Sequence, residues 1–454
     1  MKPTHSARLA QFALDIRFEQ LPASAVHAAR RLLLDTLGCS LGALGCEPAK
    51  IVRAALSPTG ERQASVIGMA ERTSVEHAAM LNGIHARYLD FMDVYWAKDV
   101  CHPSENIPLA LACVEGAGGS GRALIEAIVL GYEAQIRLAD TFAFQGMSMH
   151  HVSAAGIVAP LVAGKSMGLD CTELANAVAL GAMRTLTLRA LSNGELSMAK
   201  AIGYPLGAMQ SLFTTRLAAQ GFTGPGRALE SLFDEVPSRE APDPGRVLPL
   251  GLDRYRIEDV SFKQYPVQFE LQTAVEVALR LHRQIGGDCA RIEHVDIVVP
   301  PVMWKRTADP AKFKPANRET ADHSLPCCVA MALLEGRLAI DQFERDFWAS
   351  EAVRSMIARI RVESSPTLAA KYPTGRPVEM KFTLVDGSSV EAGEATPLGD
   401  ATRPMDDAAV VRKFMALAER PLGSADAQRV VDLAFAIDAQ PDLDALCAVL
   451  RKAH

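Results

Sequence analysis

The chain has 454 residues, with 47 Lys+Arg against 53 Asp+Glu for a formal net charge of −6, and it is 49% hydrophobic but only 6% aromatic. That length suggests two or three domains and can bury a core without disulfide staples. Its nine cysteines are scattered and form no C-x-x-C pair, which speaks for a reducing compartment and against zinc ribbons or Cys-ligated iron–sulfur clusters. A mildly acidic chain without a basic tract has no electrostatic footprint for nucleic acid. The most apolar windows, Leu124–Leu130 and Ile157–Val162, are far shorter than the roughly 20 residues of a membrane span. The opening stretch lacks the apolar run and cleavage site of a secretory signal, so the expected location is cytoplasmic.

From residue 1 to about 257 the pattern is Ala/Leu-rich and of helical length, predicting helices over Ala25–Ala43, Val75–Tyr88, Glu105–Glu115, Arg122–Ala139, Val152–Met167 and Ala201–Ala219. Several are apolar all round, as expected of central helices in a large all-α body. Breaks fall at Gly116–Gly121, Asn193–Gly194, Gly221–Gly226 and Pro237–Pro249. Around residue 258 the period changes. Strands are predicted at Ile292–Val299, Arg359–Glu363, Val378–Val385 and Ser389–Glu391, the last two joined by an Asp386-Gly387 hairpin turn, with helices at Phe269–Arg283 and Ser324–Glu335 between them. Beyond Pro404 helices return at Asp407–Leu417, Ala425–Ile437 and Leu443–Arg451. The predicted fold is therefore mainly α: an all-helical domain built from residues 1–257 and 402–454, with a smaller α+β domain, 258–401, inserted as a lid.

Two motifs mislead. Gly116–Gly121 satisfies G-x-G-x-x-G, but an Ala/Leu helix rather than a strand precedes it, so a helix–helix turn is expected and nicotinamide binding is not. Gly164-Lys165-Ser166 imitates the end of a P-loop inside what reads as continuous helix.

The unusual residues concentrate at Arg87, Asp90, Asp93 and His102, among Tyr88, Phe91, Tyr95 and Trp96. The His102-Pro103-Ser104 step places an imidazole at a helix amino terminus, where Ser104 can cap and the dipole favours a neutral, proton-accepting ring. If the helix persists, Asp90 and Asp93 share a face and repel, raising one pKa. The plainer alternatives are a solvated helix end for the two acids and a structural cap for His102. His150 and His151 open an apolar helix and read equally as caps. Lys200 and Lys263 are either surface lysines or cations able to close over an anion.

Taken together, L-D-F-M-D (Leu89–Asp93), H-P-S-E-N (His102–Asn106), S-M-A-K (Ser197–Lys200), K-Q-Y-P (Lys263–Pro266) ahead of Q-T-A-V-E, and A-D-H-S-L-P (Ala321–Pro326) resemble the MmgE/PrpD family. The likeness runs from L-L-D-T-L-G (Leu33–Gly38) through G-F-T-G-P (Gly221–Pro225) to the carboxy-terminal helices. It implies a large helical domain, a lid, a homodimer, and catalysis with neither metal nor organic cofactor. The family comprises 2-methylcitrate dehydratases, cis-aconitate decarboxylases and related epimerases. Carried over by motif, the resemblance implies catalytic roles for Asp90, His102, Lys200 and one of His150 and His151, and substrate binding by Arg87, Lys200, Lys263 and Tyr265. Val94, Met92 and Cys327 depart from the family pattern, and the hydroxyl and phenol missing at 94 and 327 remove two donors expected near the pocket.

The chemistry fits these residues. In an acidic chain a polycarboxylate must be held by local cations, here Lys200, Lys263 and Arg87. Removing a proton beside a carboxylate needs a positioned base, and losing hydroxide needs an acid. Asp90 and His102 are expected to divide these tasks in a dehydratase-like elimination of water from a citrate-like acid. The same set serves a decarboxylase or an epimerase. The competing class is a non-catalytic helical binding protein.

Overall fold

The computed structural model describes residues 3–57, 60–184, 186–192, 196–234, 251–372 and 374–454. The predicted breaks at Asn193–Gly194 and Pro237–Pro249 lie outside these residues. The fold is mainly α, and two large apolar cores organise it. One gathers side chains from Leu9 to Phe262 and then from Met405 to Ala453. The other is confined to Tyr265–Leu384.

In the helical body, Ala23–Gly42, Val75–Tyr88, Asn106–Gly116, Gly121–Thr141, Ala155–Ser166 and Ala199–Ala219 answer the predicted helices. Two more, Glu47–Ala55 and Cys171–Ala182, were not anticipated, although a capping box between Asp170 and Glu173 marks the second in the sequence. The helix expected from Val152 begins as a 3₁₀ turn, His151–Ala154, before Ala155–Ser166. The carboxy-terminal helices Asp407–Leu422 and Ser424–Phe435 pack on Ala23–Gly42. The approach is close enough that a Cβ on Gly42 would lie 2.9 Å from a Leu417 methyl.

The two false motifs resolve as helix architecture. Gly116–Gly121 is the turn between two helices, with Ser120 capping the second, and Gly121 donates its amide to the Gln440 carbonyl at 3.0 Å. Lys165, inside its helix, donates to the carbonyls of Ala13 and Ile16 at 2.9 and 2.5 Å and so ties down the end of the first helix, His5–Asp15. Among the described residues no helix is long and apolar enough to cross a membrane.

The second core lies under a four-stranded sheet. Its strands are β1 (Ile292–Val299), β2 (Ile360–Ser364), β3 (Val378–Leu384) and β4 (Ser389–Glu394), in the order β2-β1-β3-β4. The β1–β2 pair is parallel and the others antiparallel. In β3, Val378, Met380, Phe382 and Leu384 are buried while Glu379 and Lys381 face out, the period-2 pattern of a one-sided sheet. Helices Gln272–Gln284 and Leu325–Glu335 contribute to the same core. The D-G hairpin forms as read, with Gly387 at φ 83°.

Gly121 supplies a stability test. A Cβ there would lie 1.6 Å from the Ile437 carbonyl oxygen, backbone that cannot swing aside. Gly121→Ala is therefore expected to cost at least about 1–3 kcal/mol and to lower the thermal midpoint; an unchanged midpoint by scanning calorimetry would refute this packing.

Candidate active site

Asp90 is delivered by the end of helix Val75–Tyr88. Ser74 caps its start. At its end Leu89 is still right-handed, but Asp90 turns to φ 50° and donates its amide to the Arg87 carbonyl at 3.2 Å. Aspartate is among the few side chains that tolerate this left-handed conformation, and the turn stops the helix. Asp90 and Asp93 therefore do not share a helical face, and the expected repulsion between them is replaced by two separate environments.

Asp90 enters a cluster of two ammonium groups and an imidazole. Lys200 reaches Oδ2 at 2.8 Å, Lys263 bonds both Oδ1 and, at 2.7 Å, the Asp90 carbonyl, and His323 Nε2 lies 3.3 Å from Oδ2. Burial works against the charge, but Lys200, Lys263, His323 and His102 outweigh it and hold the carboxyl well below the usual carboxylate range. Lys263 is only 1% exposed, which excludes the surface-lysine reading; burial lowers its pKa against the pull of Asp90.

Asp93 turns away from the cluster. Fully buried, it accepts from Ser104 Oγ at 2.5 Å and Tyr132 OH at 2.7 Å. Burial pushes its carboxyl up to about 6, against the bonds from Ser104 and Tyr132. Ser104 is thus committed to Asp93 and does not cap the helix, contrary to expectation. The Asp93 carbonyl faces His102 Nδ1 at 2.6 Å. A carbonyl only accepts, so Nδ1 carries the proton and Nε2 keeps the lone pair. Burial, with Lys263 and Arg87 nearby, lowers the His102 pKa to about 3.

The His151 ring stands 5.4 Å from that of His102 and 4.1 Å from that of His150. Burial depresses both His150 and His151, each reinforced by its charged neighbours. His150 Nδ1 accepts from the Val152 amide at 3.3 Å, a capping bond, whereas His151 Nε2 is buried without a hydrogen-bond partner.

These groups line a cavity of about 400 Å³ between the helical body and the sheet-bearing part of the chain. Arg87, Asp90, His102, His150, His151, Lys200 and Lys263 all face it. Arg87 is partly committed elsewhere, to a buried pair with Glu105 and to the Lys200 carbonyl at 2.7 Å. Tyr265 is a correction. Its ring lies in the apolar core beneath the sheet and does not line the cavity. The amides of Gln264 and Tyr265 both donate to Gln272 Oε1, at 2.9 Å each, and this bend separates Tyr265 from Lys263. Cys327 is likewise in that core, so its departure from the family pattern does not reach the cavity, whereas Val94 and Met92 line it. The backbone of Val94 pairs with that of Ser261, joining the segments that carry Asp90 and Lys263.

Sequence reasoning missed His323, which sits between Asp90 and Asp322; A-D-H-S-L-P carried the signal. Lys305, Arg306 and Lys312, on the cavity wall of the second part, were missed as well. Asp90, Asp322 and His323 bring potential metal-ligand atoms within 4.8 Å of one another. Ammonium groups already engage both Asp90 oxygens, so this donor set suits a buried ion-pair cluster better than a divalent cation.

Family models of the MmgE/PrpD N-terminal and C-terminal domains match residues 7–234 and 265–437. The chain belongs to the MmgE/PrpD family. It is 27% identical over 447 residues to 2-methylcitrate dehydratase of Salmonella typhimurium, covering 90% of this chain and 89% of the relative. Against the Escherichia coli K12 enzyme of the same name it is 28% identical over 442 residues, with coverage of 90% and 89%. It is 21% identical over 456 residues to cis-aconitate decarboxylase of Mus musculus, covering 96% and 91%. At the level of this MmgE/PrpD family, a lyase is supported.

The buried imidazoles predict acid lability. His85 is lowered to about 4 and His102 to about 3 by burial, with His150, His151 and His323 lowered too. Below about pH 6.5 the unfolded chain binds protons that the folded chain refuses, so stability is complete above that pH and falls as pH drops toward the folded values. The thermal midpoint is expected to fall between pH 7 and 5, and less steeply in His85→Gln; a flat profile would contradict the burial of these rings.

Proposed function

We propose that the protein is a lyase for a citrate-like di- or tricarboxylate, eliminating water by acid–base chemistry as in a 2-methylcitrate dehydratase. The observation that carries this reading is one cavity holding an ionised Asp90 between two lysines and, opposite in character, His102 with a free Nε2. A binding scaffold has no use for that pairing.

His102 Nε2 takes the proton from the carbon beside a substrate carboxylate. Burial, and after it Lys263 and Arg87, depress this imidazole. A polyanionic substrate offsets their charge and raises its basicity, so the base strengthens when the substrate arrives. The electron pair left on carbon is delocalised into the neighbouring carboxylate and stabilised by the cations. It then forms the double bond as the carbon–oxygen bond breaks, and the hydroxyl departs as water with a proton from Lys200. Asp90, ionised and bonded through both oxygens, is better suited to positioning Lys200 and Lys263 than to either of the two tasks it was expected to divide with His102. Loss of carbon dioxide or reprotonation on the other face needs the same groups, so decarboxylase and epimerase activities are the second readings within the family.

Chelator-treated protein incubated in deuterated buffer with 2-methylcitrate, citrate, cis-aconitate or tartrate, followed by proton NMR, tests this. An unsaturated acid from 2-methylcitrate is expected. Itaconate from cis-aconitate selects the decarboxylase reading, deuterium exchange without conversion the epimerase, and four untouched substrates overturn the proposal. His102→Gln is expected to lower kcat by about 10²–10⁴-fold with the thermal midpoint within a few degrees; a normal rate removes His102 from the mechanism.

A further inference from the structure

Resting on the polycarboxylate reading above, we infer that Arg306 is a second carboxylate-binding residue, which selects substrates carrying a carboxylate remote from the reacting carbon. The two lysines at the Asp90 end of the cavity are bonded to Asp90, so much of their charge is committed. Arg306 belongs to the opposite wall, on the short helix Pro301–Thr307, and reaches across to the helical body.

Its guanidinium is held in place without being saturated. It lies over the Trp96 indole, 5.2 Å from the ring centroid, a contact that fixes the plane of the fork. Among the described residues its polar contacts are long: 3.3 Å to Gln145 Oε1, 3.4 Å to the Tyr372 hydroxyl and 3.6 Å to Glu270 Oε1. The Gln145 contact points to the ligand. Gln145 donates Nε2 to Asp99 Oδ1 at 2.8 Å, which turns its amide so that a carbonyl oxygen faces Arg306. A neutral amide oxygen thus sits 3.3 Å from a guanidinium in a cavity where a carboxylate would bond at shorter range and with full charge. Trp96 also pairs with Val100 in the ladder that leads directly into His102. The arginine is therefore built onto the element that carries the proposed base, and a substrate held by both keeps its reacting carbon in register with Nε2.

Binding is measured by calorimetry with unreactive probes, tricarballylate, glutarate and butyrate, on the full chain and on Arg306→Lys and Arg306→Met. The wild type is expected to prefer tricarballylate to butyrate. Arg306→Met should weaken tricarballylate by about 10- to 100-fold, the worth of a charge-assisted hydrogen-bonded pair, while changing butyrate little. Arg306→Lys, which keeps a charge for Glu270 but lacks the fork, should fall between and provides the comparison if the Met variant folds poorly. If both variants bind the three acids as the wild type does, the inference is overturned, whatever the turnover. A wild type that does not distinguish tricarballylate from butyrate overturns it together with the polycarboxylate reading. Selectivity present in the wild type and lost in the variants upholds it even if no tested acid is converted.

Discussion

One buried carboxylate, that of Asp90, holds the site together. Lys200 comes to it from the start of a helix in the large core, Lys263 from the segment leading out of that core, and His323 from the sheet-bearing part. The carboxylate and the two ammonium groups would each be costly to bury alone; together they offset one another, and removal of a single charged partner from such a set commonly costs about 3–5 kcal/mol. The left-handed turn at Asp90 is the backbone conformation in which the carboxylate meets all three partners. The cluster is thus also the electrostatic seam between the two cores.

Behind it lies a second layer that sets protonation states. Asp93 anchors Ser104 and Tyr132 through its side chain and His102 through its carbonyl. One residue thereby fixes both the position of the H-P-S turn and the tautomer of its histidine. The outcome is a charged acid and a neutral imidazole lining the same cavity, the separation of protonation states that acid–base chemistry requires.

The sequence makes the elements legible wherever periodicity is strong. Val75–Tyr88 and Ile292–Val299 fall where the pattern puts them, because each is long and regular, the helix buried nearly all round and the strand alternating between buried and open positions. Asp90, His102, Lys200 and Lys263 could be named because each sits in a short motif of the MmgE/PrpD resemblance, L-D-F-M-D, H-P-S-E-N, S-M-A-K or K-Q-Y-P. Other features depend on long-range contacts. Asp90 and Asp93 looked like one face of a helix until the turn at 90 intervened. Lys263 and Tyr265 share a motif, yet the side chain of Gln272 bends the chain between them and sends the tyrosine into the other core. His323 and Arg306 carry no local signal of their contacts with Asp90 and Gln145, which lie more than a hundred residues away in the chain.

The packing of Ala23–Gly42 against Asp407–Leu422 has a consequence for biosynthesis. Roughly 365 residues separate these two helices. At a synthesis rate of about 5–20 residues per second, the apolar flank of the earlier helix waits on the order of 20–70 s for its partner to be made. During that interval the nascent chain exposes a sticky groove, and a ribosome that stalls or terminates early leaves it permanently uncovered. Truncated products of this chain should accordingly be client material for chaperones and proteases rather than smaller working enzymes.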